Sequence, residues 1–157
     1  MRRNSGFTLI ELIVVIIILG LLAATAAPKF LNLQKEARIS ALKGLKGAME
    51  SAASLVYSKA VITGIEASTS SGVGVSIGNS TVTTYNGYPT ADDAGIPKAL
   101  DLSNGDWFPE SSASGTTYMY YPNTESGKSV KANCHVKYTW PNGTDERPKI
   151  EVVDKSC

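Results

Sequence analysis

The chain has 157 residues with 15 basic and 14 acidic side chains, which gives a formal net charge of +1. This near-neutral balance gives no general argument for nucleic-acid binding. The length allows one small domain with a long additional helix, and a single histidine, His135, supplies no pair of imidazoles for a metal site.

The N-terminus has a basic head, with Arg2 and Arg3, followed by Gly6 and an apolar stretch from Phe7 to residue 27. About 20 apolar residues suffice to span a bilayer as a helix, and the arginines predict a cytoplasmic N-terminus. The stretch contains one charge, Glu11. An acidic side chain inside hydrocarbon costs roughly 2.5–3.5 kcal/mol on insertion scales, so Glu11 predicts a function with a specific partner.

Two simpler interpretations of this stretch are a secretory signal peptide and an ordinary membrane anchor. A signal peptide would use Ala24-Thr25-Ala26 as its cleavage site. However, a charge within the apolar region is atypical of signal peptides, and the helical pattern resumes after Pro28. A plain anchor explains the length and the basic head, but it explains neither Gly6 at the boundary nor Glu11.

The helical pattern predicts one long helix from Phe7 to about Ala60. Pro28 lacks an amide donor and Gly20 lowers helix propensity, so the segment between them is predicted to kink or open. After Pro28 the pattern becomes amphipathic, which predicts packing against a globular head. The predicted apolar stripe comprises Ala41, Leu45, Ala48, Met49, Ala52, Leu55 and Val56.

The charges are spread unevenly along the chain. Residues 29–59 carry six basic and two acidic side chains, whereas residues 60–157 carry seven basic and eleven acidic ones. Two solvated faces would explain this distribution. Complementary surfaces between copies of the chain would explain it equally well, and they would set the register of assembly more than its affinity.

The C-terminal third predicts an antiparallel sheet, because residues 130–140 alternate between apolar and polar side chains. Cys134 is predicted to face inward, and His135 is predicted to be a surface residue on the polar face. Further strands are predicted at residues 118–121 and near residues 150–152. Residues 64–114 are predicted to be mostly loop, with short strands at 73–77 and 81–85. The predicted fold class is α+β, with a four-stranded antiparallel sheet packed on the C-terminal half of the helix.

No pattern in the chain predicts an enzyme, a cofactor or a metal site. There is no nucleophile elbow and no P-loop. Asp101, Asn104 and Asp106 are candidate ligands of a calcium loop, but their spacing does not satisfy the EF-hand pattern. Two cysteines, Cys134 and Cys157, favour a disulfide if the domain is exported.

Gly6 followed by Phe7-Thr8-Leu9-Ile10-Glu11 resembles the prepilin processing site of type IV pilins, and the six-residue leader is similar to that of the type IVa subgroup. The stretch from residue 26 to residue 34 resembles the mannose-sensitive haemagglutinin pilins. The resemblance implies cleavage between Gly6 and Phe7 and methylation of the new amine on Phe7. It also implies that Glu11 pairs with the Phe7 amine of a neighbouring subunit.

The resemblance further implies how the chain is divided. Residues 1–6 would be the leader, 7–28 the transmembrane and filament-core helix, and 29–60 an amphipathic helix packed on the head. Residues 61–157 would form the globular head, with a C-terminal disulfide loop closed by Cys134 and Cys157. The implied function is that of a structural subunit of a surface filament for adhesion, attachment or motility.

The implied partners are identical subunits, a prepilin peptidase and methylase, an inner-membrane assembly platform with its ATPases, and an outer-membrane secretin. The implied location is the inner membrane before assembly and the surface filament of a Gram-negative bacterium afterwards. Two alternatives stay open: a secretion pseudopilin, and an anchored or secreted binding domain that does not polymerise. The cysteine pair favours a pilin, because major pseudopilins typically rely on calcium instead.

Overall fold

The structure is a computed structural model that describes residues 7–102, 105–112, 114–122, 133–141 and 146–157. Its internal contacts divide the chain into two units, Met1–Ala37 and Arg38–Cys157. A single long helix, α1 (Leu9–Thr63), provides most of the first unit and the first element of the second. The predicted long helix is therefore present, with bounds within three residues of those expected.

Helix α1 ends in a Schellman motif centred on Gly64. The amide of Gly64 donates to the carbonyl of Val61 at 3.1 Å, and the amide of Ile65 donates to the carbonyl of Ala60 at 3.0 Å. Gly64 has a φ of +70°, a conformation that glycine adopts without steric penalty. The last carbonyls of the helix are thus satisfied, and the chain turns sharply into the head.

In the second unit, one face of α1 is buried at a spacing of three or four residues. This spacing places the buried side chains on one stripe: Leu42, Leu45, Met49, Ala52, Ala53, Val56 and Ala60. The predicted stripe was wrong in three members, because Ala41, Ala48 and Leu55 are exposed. These three residues are seven apart and lie along one edge of the true stripe, so the predicted stripe was displaced towards that edge.

A three-stranded antiparallel sheet packs on the last turns of α1. It comprises β1 (Gly74–Ile77), β2 (Ser80–Tyr85) and β3 (Tyr88–Pro89). Val75 and Val82 form a buried cluster with Val56 and Ala60 of the helix. The two predicted strands are present, whereas β3 and the short helix α2 (Ile96–Ala99) were predicted to be loop.

A four-stranded antiparallel sheet forms the rest of the core, which confirms the predicted fold class. Its strands, in spatial order, are β4 (Trp107–Ser111), β5 (Thr117–Pro122), β6 (His135–Thr139) and β7 (Lys149–Val153). Strand β4 was predicted to be loop together with most of residues 64–114, and it contains Pro109. Proline is tolerated on an edge strand, and β4 lies at the edge.

The core face of this sheet is built from paired tyrosines and aliphatic residues. Tyr118 lies opposite Tyr138, which lies opposite Ile150 in the next strand. All three pack in one cluster with Leu42 and Met49 of α1. The buried hydroxyl of Tyr138 donates to the carbonyl of Pro89 at 2.8 Å, and this hydrogen bond ties the two sheets together.

Candidate functional site

The first turn of α1 places Glu11 against Thr8 in a capping box. The amide of Thr8 donates to Oε2 of Glu11 at 2.9 Å, and the Thr8 hydroxyl donates to the same oxygen at 2.7 Å. The amide of Glu11 donates back to the Thr8 hydroxyl oxygen at 3.4 Å. Thr8 was not among the predicted site residues, although Thr-Leu-Ile-Glu fits the Ser/Thr-x-x-Glu capping signature.

The capping box leaves Glu11 able to bind a further donor. A carboxylate has about four lone-pair sites, and Thr8 fills only part of that capacity at one oxygen. Both residues are exposed, and Phe7 beside them is 81% exposed. The arrangement can therefore accept a cation from outside the chain. Gly6, the predicted cleavage residue, lies outside the described residues.

All side chains described between residues 7 and 37 are exposed. Most of them are large and apolar as far as Leu22, for example Ile16 at 57% and Leu21 at 67% exposure. In the described part of the chain, α1 is the one helix that is long and apolar enough to cross a membrane. Soluble monomers rarely expose a contiguous apolar surface of this kind, so lipid or other protein chains must cover it.

Helix α1 continues through Gly20 and Pro28 in the single chain. Pro28 has no amide, so the carbonyl of Ala24 receives no helical hydrogen bond from it. The hydroxyl of Thr25 donates to the carbonyl of Leu22 at 2.9 Å, a contact that often bends helices. The predicted opening between Gly20 and Pro28 concerns an assembled filament, and it stays a prediction.

In the head, Cys134 and Cys157 are joined in a disulfide with a Cα–Cα distance of 5.0 Å, as the sequence predicts. Cys134 is 3% exposed and packs in the main core cluster, with Cys157 against it. The amide of Ser156 donates to the carbonyl of Asn133 at 3.1 Å. The last residues of the chain are thus fixed beside the start of β6.

His135 is buried, at 7% exposure, so the prediction of a surface histidine was wrong. It lies opposite Val153 of β7, and its ring centroid is 5.0 Å from that of Tyr121 on β5. The outer face of the sheet is therefore apolar around His135, which residue-type alternation along one strand does not reveal. Burial lowers the pKa of His135, nearby Lys137 lowers it further, and Glu110 opposes both effects.

No group of three histidine, cysteine, aspartate or glutamate residues in the described ranges could hold a metal ion. The calcium loop weighed from the sequence includes Asn104, which lies outside those ranges. The candidate functional features of the chain are therefore the exposed apolar helix, its Thr8–Glu11 cap and the disulfide-closed head.

The family model described as "Prokaryotic N-terminal methylation motif" matches residues 1–27. The type IV major pilin protein PilA of Myxococcus xanthus is 51% identical over 41 residues, or 26% of this chain and 19% of that protein. The N-terminal region of the chain is thus similar to that of a type IV pilin. The narrower resemblance to mannose-sensitive haemagglutinin pilins stays a prediction.

Two further relatives match a segment of similar length. The type IV narrow pilus major component PilA5 of Thermus thermophilus is 44% identical over 50 residues, which cover 32% of this chain and 43% of that protein. The type II secretion system core protein G of Pseudomonas aeruginosa is 46% identical over 43 residues, which cover 27% and 30% respectively. The match thus spans less than half the length of each relative. No solved structure is significantly similar to the chain.

Proposed function

We propose that the chain is the structural subunit of a type IV pilus and polymerises through its hydrophobic N-terminal helix. The observation that carries this proposal is the uniform exposure of an apolar helix that bears one acidic residue, Glu11, in its first turn. A helix of this kind can be covered by lipid before assembly and by the helices of other subunits afterwards. The named pilin relatives support the same role.

Before assembly, the helix is stored in the inner membrane with the leader, including Arg2 and Arg3, on the cytoplasmic side. Helical hydrogen bonds satisfy the backbone groups within this segment internally, as a membrane requires, except where Pro28 leaves the carbonyl of Ala24 without a donor. A prepilin peptidase then cuts between Gly6 and Phe7, and the new amine on Phe7 is methylated. The Thr8–Glu11 cap keeps the carboxylate hydrogen-bonded while no neighbouring amine is present.

In the filament, Glu11 of one subunit pairs with the Phe7 amine of a neighbour. A buried pair contributes little net stability, but an uncompensated buried charge is strongly penalised, so the pair selects one register. The inner-membrane platform and its ATPases supply the energy, and an outer-membrane secretin gives passage to the surface of a Gram-negative cell. The heads form the outer surface, where adhesion, attachment or motility contacts are made.

The second candidate function is a secretion pseudopilin, favoured by the 46% identity to core protein G. The disulfide between Cys134 and Cys157 favours the pilin, because major pseudopilins typically rely on calcium instead of a disulfide. A membrane-anchored binding domain that does not polymerise is the remaining alternative. This alternative provides no partner for Glu11 and so does not explain an acidic residue within the apolar helix.

Isolation of surface filaments and mass spectrometry of their subunits tests the proposal. We expect filaments built from this chain, with an intact mass that begins at a methylated Phe7. A mass that begins at Ala27 would restore the signal-peptide interpretation, and one that begins at Met1 would support a plain anchor. Short periplasmic filaments that appear only with a secretion apparatus would favour the pseudopilin.

A further inference from the structure

Two stacked tyrosines separate a pair of cavities in the head. The rings of Tyr57 on α1 and Tyr88 on β3 lie 4.6 Å apart at an interplanar angle of 18°. Both rings, together with Arg147, line one cavity of about 440 Å³ and a second of about 250 Å³. The smaller cavity is also lined by the side chains of Glu66 and Glu146. Neither cavity takes part in the function proposed above.

The turn between β2 and β3 packs tightly against the residues that line the smaller cavity. Asn86 and Gly87 have φ angles of +49° and +77°, as in the type I′ turn of a two-residue hairpin. A Cβ on Gly87 would lie 2.9 Å from the Tyr57 ring and 3.1 Å from the backbone of Glu66. Only glycine allows the turn to approach both residues this closely.

Glu66 carries an unsatisfied oxygen at this position. Its Oε2 atom is buried and has no hydrogen-bond partner among the described residues. A buried acceptor without a donor costs free energy, and more so when it is charged. The two ion pairs formed between described residues, Lys46–Glu50 and Lys149–Glu151, involve neither Glu66 nor Glu146.

The charges of the smaller cavity favour a cation. Among the described lining residues, two have carboxyl side chains and one, Arg147, has a guanidinium, so acidic groups outnumber basic ones. Burial raises the pKa of the Tyr88 hydroxyl, and Arg147 lies close enough to Tyr88 to lower that pKa against the larger effect of burial. An ammonium group has three donors and no acceptor, which suits an unpaired carboxylate oxygen, and tyrosine rings attract cations through their π faces.

We propose that the smaller cavity receives the ammonium group of a lysine from a second copy of this chain. This inference rests on the proposed polymerisation. A second copy offers the required group, because the basic segment of α1 carries lysines whose side chains are exposed: Lys29, Lys35, Lys43 and Lys59. The acidic head of one subunit would thereby hold the basic helix of another.

Zero-length carbodiimide cross-linking tests this proposal, because it joins a carboxylate to an amine only when they are in contact. Full-length protein is treated in two states, as isolated filaments and as monomer in detergent, and the joined peptides are identified by mass spectrometry. The Lys149–Glu151 pair, 2.8 Å apart within one chain, is the internal control and should be joined in both states. The Glu66→Gln/Glu146→Gln variant removes the proposed acceptors, and Glu151→Gln is the matched exposed variant.

We expect Glu66 or Glu146 to be joined to one of the exposed α1 lysines in filaments and not in monomer. The double variant should lose this product, whereas Glu151→Gln should keep it. Filaments that show the control product without a Glu66 or Glu146 product would overturn the inference and leave the proposed function intact. Equal yields in monomer would also overturn it, since the lysine would then belong to the same chain. If electron microscopy shows no filaments, the proposed function fails as well.

Discussion

One helix serves two regions of this chain that differ in how their side chains are covered. Between residues 7 and 37 the described side chains are all exposed. Between Leu42 and Ala60 the same helix buries a complete stripe against two sheets. The second unit therefore buries an apolar stripe of the helix within one chain, whereas the apolar side chains of the N-terminal region have to be covered by lipid or by other protein chains.

The comparison also separates two kinds of polar contact. In the head, polar groups close the fold, as when the hydroxyl of Tyr118 donates to Asp93 at 2.7 Å. In the N-terminal region, the partner of the Glu11 carboxylate among the described residues is Thr8, in its own helix turn. Substitutions in the N-terminal region should therefore alter assembly, and substitutions in the head should alter the stability of the free subunit.

The largest expected effect is that of Glu11→Val on assembly. The substitution makes the apolar helix more compatible with lipid and removes the proposed partner of the Phe7 amine. We expect the variant to be inserted in the membrane at a normal level and to yield no filaments, by fractionation and electron microscopy. Glu36→Gln changes a carboxylate of the same unit outside the apolar stretch and should assemble normally. Normal filaments built from Glu11→Val subunits would contradict the pairing.

In the head, Leu42→Ala should destabilise the subunit by about 2–5 kcal/mol, because it opens a cavity beside Met49 in the main core cluster. Leu55→Ala is the matched variant on the exposed side of the same helix, where Leu55 is 50% exposed. It should change the free energy of unfolding by less than about 0.5 kcal/mol. Urea unfolding of the full-length chain in detergent, followed by tryptophan fluorescence, measures both. Equal losses would show that the two faces are not distinct.

The sequence was sufficient for the elements with strong periodic or glycine signals. It predicted the long helix, its end to within three residues and the strand that contains Val136, because apolar spacing and helix breakers are local properties. It missed strand β4 and the burial of His135, because both depend on neighbouring strands. The two cavities at the stacked tyrosines are formed by residues that are distant in sequence, since Tyr57 and Tyr88 are 31 residues apart. No local sequence pattern could have predicted them.

At the candidate site, the sequence predicted the residue types but not their local geometry. Glu11 was identified from its cost in hydrocarbon alone. Its contact with Thr8 was available from the capping signature and was overlooked. The pairing with a neighbouring Phe7 amine, the cleavage at Gly6 and the opening near Pro28 all depend on other molecules, which one chain cannot reveal.

Removal of the disulfide should destabilise the head by about 3 kcal/mol in the chain-entropy model. The bond joins residues 23 apart, so it restricts the unfolded chain substantially. We expect the Cys134→Ala/Cys157→Ser variant to show this loss in urea unfolding and to accumulate less in cells. Thiol labelling of unreduced, denatured wild-type protein should detect no free cysteine. Two reactive thiols in filament-derived protein would refute the bond.

Pro28→Ala should stabilise α1 locally, by up to ~3 kcal/mol, without changing the stability of the head. The substitution restores an amide that can donate to the carbonyl of Ala24. Hydrogen exchange in detergent should slow between Gly20 and residue 28 and stay unchanged in the head. In filaments, density for the wild-type chain should show lost helical hydrogen bonds in this segment. A helix that is unbroken there would contradict the predicted opening.

The smallest expected effect is a pH dependence of head stability that arises from His135. Burial lowers the pKa of His135 from its ordinary value of 6.5, and the positive charge of Lys137 acts in the same direction. The Nδ1 atom is buried and has no hydrogen-bond partner in the described part of the chain. Protonation would therefore place a charge in a site that favours the neutral imidazole.

The sign of the effect follows from proton binding. The pKa of His135 lies below 6.5 in the folded chain. At pH values between this folded pKa and 6.5, the unfolded chain therefore binds more protons than the folded chain. The contribution of His135 to stability is thus fully present above pH 6.5 and is lost as the pH falls through that window. We expect the urea midpoint to decrease between pH 7.5 and 5, and His135→Gln to remove most of that slope. Lys137→Gln should reduce the slope, since it raises the pKa of His135. An identical slope in all three proteins would assign the pH dependence to other groups.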